Sequence, residues 1–126
     1  MNRFRCMIGL SALLAATSVH AQAAPDPVAG QKQFGQCRAC HATTAKAPAG
    51  VGPSLFGVFG SAAASRPGKY AYSAALKGSK IKWDEATLDK WLTDPAAIVK
   101  GTKMEFIGIA RKPVRQNIIA YLKTVK

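Results

Sequence analysis

Cys37-Arg38-Ala39-Cys40-His41 puts two thiols and an imidazole within five consecutive residues. Cysteines three positions apart lie nearly one helical turn from each other, so both sulfurs can reach one edge of a flat macrocycle. The histidine that follows can then turn a ring nitrogen onto a metal at the centre. This C-x-x-C-H spacing is the one that covalent haem attachment requires, with thioether bonds to two vinyl groups and the histidine as proximal iron ligand. A bare C-x-x-C also serves redox dithiols and zinc half-sites, but the first belongs in a βαβ context and the second needs two more ligands. No cysteine or histidine follows His41 to complete such a site.

The segments that must position this motif begin after the N-terminus. Arg3 and Arg5 precede an apolar run from Met7 to Val19, too short to cross a bilayer, and small residues follow it. Residues 1–23 therefore read as an export signal, cleaved after Ala21 or Ala23, with residues 24–126 as a single domain. The expected location is the periplasm. Cys6 precedes the apolar run, which does not fit a lipid-anchored cysteine at the cleavage point. With the signal go Cys6, His20, Met1 and Met7, leaving Cys37, Cys40, His41 and Met104 as the whole stock of thiol, imidazole and thioether groups.

A domain of this length buries a marginal fraction of its surface, and a large apolar cofactor at its centre supplies the missing core. Loss of Arg3 and Arg5 takes the formal charge from +12 to +10. Nucleic acid is the first suspicion for such a chain, but the export signal argues against it, and no basic run is interleaved with stacking aromatics. Dispersed lysines suit an acidic docking surface on another exported or membrane-bound protein, where opposite fields accelerate encounter. Plain solubility is the simpler reading of the same charge.

The pattern of elements is helical. Asp26-Pro27 starts a helix that runs to about Arg38, with Gly30 and Phe34 on one face. Gly30 fits either a close helix–helix approach or a tolerated surface glycine. Residues 42–65 are rich in glycine and lack a sustained period, so they form a loop region. Within it the Pro53 carbonyl is a candidate acceptor for the outer ring N–H of His41, although Gly50-Val51-Gly52-Pro53 also reads as a simple turn. Ser73–Lys77 is a short helix, Asp84 caps another that Asp94-Pro95 closes, and Pro95–Val99 adds a turn. Pro113 starts a terminal helix with Val114, Ile118, Tyr121, Leu122 and Val125 on one stripe. Met104 lies on the loop between, where a lone methionine is more often core filler than ligand. As the one methionine left after export, it is the natural second ligand for a six-coordinate haem.

These stretches together resemble the class I c-type cytochromes, close to mitochondrial and soluble bacterial cytochromes c. The resemblance covers residues 26–126 and rests on Gly30 to Phe34, Cys37 to His41, Gly52-Pro53-Ser54-Leu55, Gly57-Val58-Phe59-Gly60, Tyr70-Ala71-Tyr72-Ser73, Trp83, Gly101-Thr102-Lys103-Met104 and Ala120-Tyr121-Leu122-Lys123. It implies an all-α cytochrome c fold with N- and C-terminal helices crossed at Gly30, short helices and loops wrapping one covalent haem c. It further implies that Cys37, Cys40, His41 and Met104 hold the haem, with iron between His41 and Met104. Pro53 would then face His41, while Tyr72, Trp83 and Thr102 would face the haem propionates.

The departures from the family pattern carry expectations of their own. Ser61 stands where an arginine near a propionate is usual, which favours ferric iron and implies a lower reduction potential than in relatives that keep the arginine. Leu76 replaces a pocket asparagine, and Trp91 a tyrosine near the methionine sulfur. Ala96-Ala97 replaces a lysine pair on the docking face. The function implied is that of a monomeric one-electron carrier, not an enzyme and not inserted in the membrane. Its partners would be an oxidase, a quinol-oxidising complex, a photosynthetic reaction centre or a dehydrogenase. An open iron position would instead suit an enzyme or gas-binding haem protein, and a thiol–disulfide oxidoreductase would carry no haem.

Overall fold

Asp26 and Pro27 open the first helix through two local effects. The Asp26 carboxylate accepts the Val28 amide at 2.8 Å, and Pro27 sits in the first turn, where an N–H would lack a helical partner. In the computed structural model, which describes residues 21–126 apart from Ala49 and Pro67, this helix, α1, spans Pro27–Gln33. Most of the expected export signal, with Cys6 and His20, lies outside the described residues.

The sequence reading carries α1 on to Arg38, whereas the chain tightens after Gln33 into a 3-10 turn, Phe34–Cys37, followed by Arg38 as its cap. Gly35, unfavourable in a regular helix, falls inside this turn. The amides of Cys40 and His41 both return to the Cys37 carbonyl, at 3.1 and 2.9 Å, so the C-x-x-C-H segment is wound into a compact turn.

The remaining helices follow from their caps. Ser73 accepts the Leu76 amide at the start of α2, Ala74–Gly78. Asp84 and Thr87 form a reciprocal capping box on α3, Glu85–Thr93. Hydrogen bonds from Thr87 hold the Asp84 carboxyl below its usual range. Asp94 is extended, so it ends α3, and its side chain accepts the Ala97 amide at 3.1 Å to start α4, Pro95–Ile98. Helix α5 spans Lys112–Leu122 with Pro113 in its first turn. Among the described residues no strand forms; one isolated bridge pairs Ala62 with Lys82.

Helix α1 crosses α5 at Gly30, where a Cβ would run into the Asn117 carbonyl and lie 3.0 Å from Tyr121 Cβ. Gly30 is thus the close-approach glycine rather than a surface one. Asn117 also accepts the Asp26 amide at 2.8 Å, which ties the start of α1 to α5. One turn later Phe34, almost wholly buried, packs its ring 5.3 Å from that of Tyr121. The expected stripe is buried at Ile118, Tyr121 and Leu122 of α5, with Val114 half-buried, while Val125, expected on the helix, is buried just past its end. Ile119 widens it.

Buried Arg115 turns α5 into an anchor for the loop ahead of it. Its Nε donates to Asp89 Oδ1 of α3 at 2.8 Å, and its Nη1 donates to the carbonyls of Ile109 and Ala110 at 2.8 and 2.9 Å. The Ile109 amide in turn donates to the Leu92 carbonyl at 2.8 Å. The stretch that follows Met104 is therefore held against α3 and α5. Arg115→Leu leaves these acceptors unsatisfied and is expected to cost about 2 kcal/mol, since Asp89 keeps partial access to water. A urea-unfolding midpoint equal to that of the unsubstituted protein would contradict this.

Candidate haem-binding site

The loop after the C-x-x-C-H turn doubles back over His41. The Gly52 amide donates to the Cys40 carbonyl at 2.9 Å and the Leu55 amide to the Ala42 carbonyl at 2.8 Å, so residues 50–55 lie alongside residues 40–42. Only a glycine fits at position 52, because a Cβ there would come within 2.6 Å of His41 Cε1. The Pro53 carbonyl thereby reaches His41 Nδ1 at 2.8 Å. A carbonyl can only accept, so Nδ1 carries the proton and Nε2 keeps its lone pair for a metal. Burial holds the imidazole below its ordinary pKa range, partly offset by the Pro53 bond, so the ring is neutral at pH 7 as a ligand must be.

Cys37 does not carry the electrostatics of a reactive redox thiol. Burial, reinforced by neighbouring Cys40, pushes the Cys37 thiol above its ordinary range, whereas reactive dithiols rely on a depressed one. Among the described residues, no group of three or more His, Cys, Asp and Glu side chains gathers as a metal-ion site.

Cys37, Cys40 and His41 border a cavity of about 330 Å³. Its walls bring together residues far apart in sequence: Phe34, Pro53 and Leu55, then Tyr72, Leu76 and Trp83, then Trp91 and Leu92, then Thr102, Met104 and Phe106, and finally Ile118 and Leu122. Every residue expected at the site therefore borders one space. Met104 enters from the loop after α4, where Gly101 is left-handed at φ +87° and the Thr102 hydroxyl accepts the Met104 amide at 3.2 Å. Trp83 packs edge-on against Trp91, ring centroids 5.0 Å apart. Exposed Cys40, Val51 and Lys103 mark the rim, and Lys103 Nζ donates across to the Ala71 carbonyl at 2.7 Å.

The lining fits a flat apolar group with anionic arms. Most of it is hydrocarbon or aromatic, as a macrocycle needs. At one side, however, the Tyr72 hydroxyl and Arg66 Nε are buried without a hydrogen-bond partner. Burial raises the Tyr72 phenol above its ordinary range, so it stays a donor at neutral pH. Two orphaned donors in an otherwise apolar wall suit the carboxylates of a haem. Thioethers at Cys37 and Cys40, a nitrogen at His41 and a sulfur at Met104 are the groups that would hold it. Sequence reasoning passed over Arg66, because an isolated basic residue in an aperiodic loop gives no sign of which way it turns. Gly52 appeared as part of a turn signal and of the family resemblance, without the role of making room for His41.

No family model matches the chain. It is 50% identical over 107 residues to cytochrome c2 of Rhodomicrobium vannielii, covering 85% of each chain. It is 48% identical over 103 residues to cytochrome c2 of Rhodoblastus acidophilus, covering 82% of this chain and 95% of the relative. Among solved structures, cytochrome cH from Methylobacterium extorquens superposes with a TM-score of 0.74 at 48% identity, over 79% of this chain and 98% of the other.

Proposed function

Since the chain belongs to the class I c-type cytochromes, which are electron carriers with one covalent haem c, we propose that it is an exported carrier whose iron is held by His41 and Met104. The observation that carries this reading is the convergence of Cys37, Cys40, His41 and Met104 on one cavity, with the His41 tautomer set by Pro53. When bound, the haem supplies the one-electron ferrous/ferric couple. The polypeptide's part is to hold it between two strong-field ligands and exclude water, so that changing oxidation state requires little rearrangement. Tyr72, Trp83 and Thr102 supply polar atoms along the cavity wall. The visible spectrum after denaturation in alkaline pyridine tests this reading, because it reports haem type and attachment together; purified protein without colour would refute it.

The export signal read at residues 1–23, cleaved after Ala21 or Ala23, supports a periplasmic location, where the carrier would act as a monomer. No helix among the described residues is long and apolar enough to cross a membrane. The partners are acidic docking surfaces of redox proteins: an oxidase, a quinol-oxidising complex, a reaction centre or a dehydrogenase. Charge placement supports this. Of the six carboxylates, Asp26, Asp84 and Asp94 cap helices, while Asp89 and Glu85 pair with Arg115 and Lys123. Lys32, Arg38, Lys46 and Lys103 are left exposed to set the sign of the surface field. Second-order electron-transfer rates with an acidic partner are expected to fall about tenfold or more between low and physiological-to-high salt. A rate independent of ionic strength would remove electrostatic steering from the account.

A further inference from the structure

Arg66 sits on the cavity wall in a seat built for its guanidinium. Nη1 donates to the carbonyls of Phe56 and Gly57 at 3.0 and 2.7 Å. Gly57 makes the seat possible twice over: its φ of +65° is left-handed, and a Cβ there would press within 2.9 Å of that same Nη1. On the approach to Arg66, Ala64 also borders the cavity and holds a left-handed φ of 57°, which a side-chain-bearing residue adopts only at a cost. The backbone is thus bent at two places around one side chain. With Nη1 fixed, Arg66 Nε is left buried and unpartnered, as is the Tyr72 hydroxyl. Two unsatisfied donors, one cationic, bordering the same space call for an anion between them.

We propose that Arg66, together with Tyr72, binds a carboxylate arm of the haem, and that its fixed positive charge raises the reduction potential of this protein. The proposal rests on the haem reading above. Ser61 cannot do this work, since its hydroxyl donates to the Val58 carbonyl at 2.6 Å. Its presence therefore does not by itself leave the pocket without a cation. Arg66 would touch the haem only at its carboxylate arm, not at the iron, His41 or Met104, and acts through the charge that it neutralises.

Equilibrium redox titration of the holoprotein tests the assignment. A unit charge acting over on the order of 10 Å at an effective dielectric near 20 shifts an equilibrium roughly tenfold. In Arg66→Gln the ratio of reduced to oxidised protein at a fixed ambient potential should fall by about that factor, equivalent to about 59 mV for one electron. Arg66→Lys, which keeps the charge, should recover most of it, with the visible spectra of both variants unchanged. A wild-type potential in Arg66→Gln, or the same loss in Arg66→Lys, would overturn the proposal, because a purely structural arginine moves stability and not potential. Should Arg66→Gln fail to assemble, Tyr72→Phe carries the test: a fall of about threefold supports the assignment and an unchanged ratio overturns it. Purified wild-type protein lacking haem would sink the underlying reading instead, a distinguishable failure.

Discussion

Met104→Ala is expected to bind carbon monoxide promptly in its reduced form at neutral pH, whereas the unsubstituted protein, with Met104 as the proposed iron ligand, is expected to refuse it. The thioether borders the same cavity as His41, and residues 24–126 contain neither another methionine nor a second histidine to take its place. Lys103, the adjacent basic side chain, is tied to the Ala71 carbonyl. If Met104 holds the iron as proposed, loss of the sulfur would open that position to water or exogenous ligand. Because methionine ligation favours ferrous iron, the reduction potential should also fall, by on the order of 0.1 V or more within the roughly 0.8 V range that axial ligands span. The ferric spectrum should acquire high-spin character. If Met104→Ala keeps the unsubstituted spectrum and still excludes carbon monoxide, another group ligates the iron and the proposed ligand pair is wrong.

The second large effect concerns stability. Gly30→Ala places a methyl group where the Asn117 carbonyl and Tyr121 Cβ already sit, and backbone cannot rotate aside as a side chain can. Helices α1 and α5 must move apart, loosening the Phe34–Tyr121 contact and the bond from the Asp26 amide to Asn117. The expected cost is about 3 kcal/mol, at the upper end for overpacking. For a domain of this size that lowers Tm by roughly 12–24 °C. The gain in helix propensity from glycine to alanine, at most about 1 kcal/mol, acts the other way and is too small to compensate. Thermal unfolding of the holoprotein that is unaltered or raised in this variant would show that the crossing is looser than the geometry indicates.

How much was legible beforehand depends on how far along the chain each signal reaches. Asp26, Ser73, Asp84 and Asp94 cap helices through hydrogen bonds to amides two or three residues away, so their roles are written in short sequence windows. The α5 stripe is equally readable because the helical period determines which residues share a face. Where reading went astray it was also local: α1 gives way to a 3-10 turn at Phe34, where Gly35 weakens the regular winding and the Arg38 amide returns to the Gly35 carbonyl three residues back. Gly30 admitted two readings, and only the position of Asn117, far along the chain, separates them.

From the residues alone came the attachment motif, the helix starts to within a residue, the excess of positive charge and the short stock of possible iron ligands. Each depends on neighbours in sequence or on simple counting. Tertiary structure alone decided that Gly52 leaves room for the imidazole, that Arg115 anchors the stretch after Met104, and that Arg66 turns inward while Ser61 turns to its own backbone. Those outcomes depend on where distant carbonyls lie, and a buried donor takes whichever acceptor the folded backbone brings within reach.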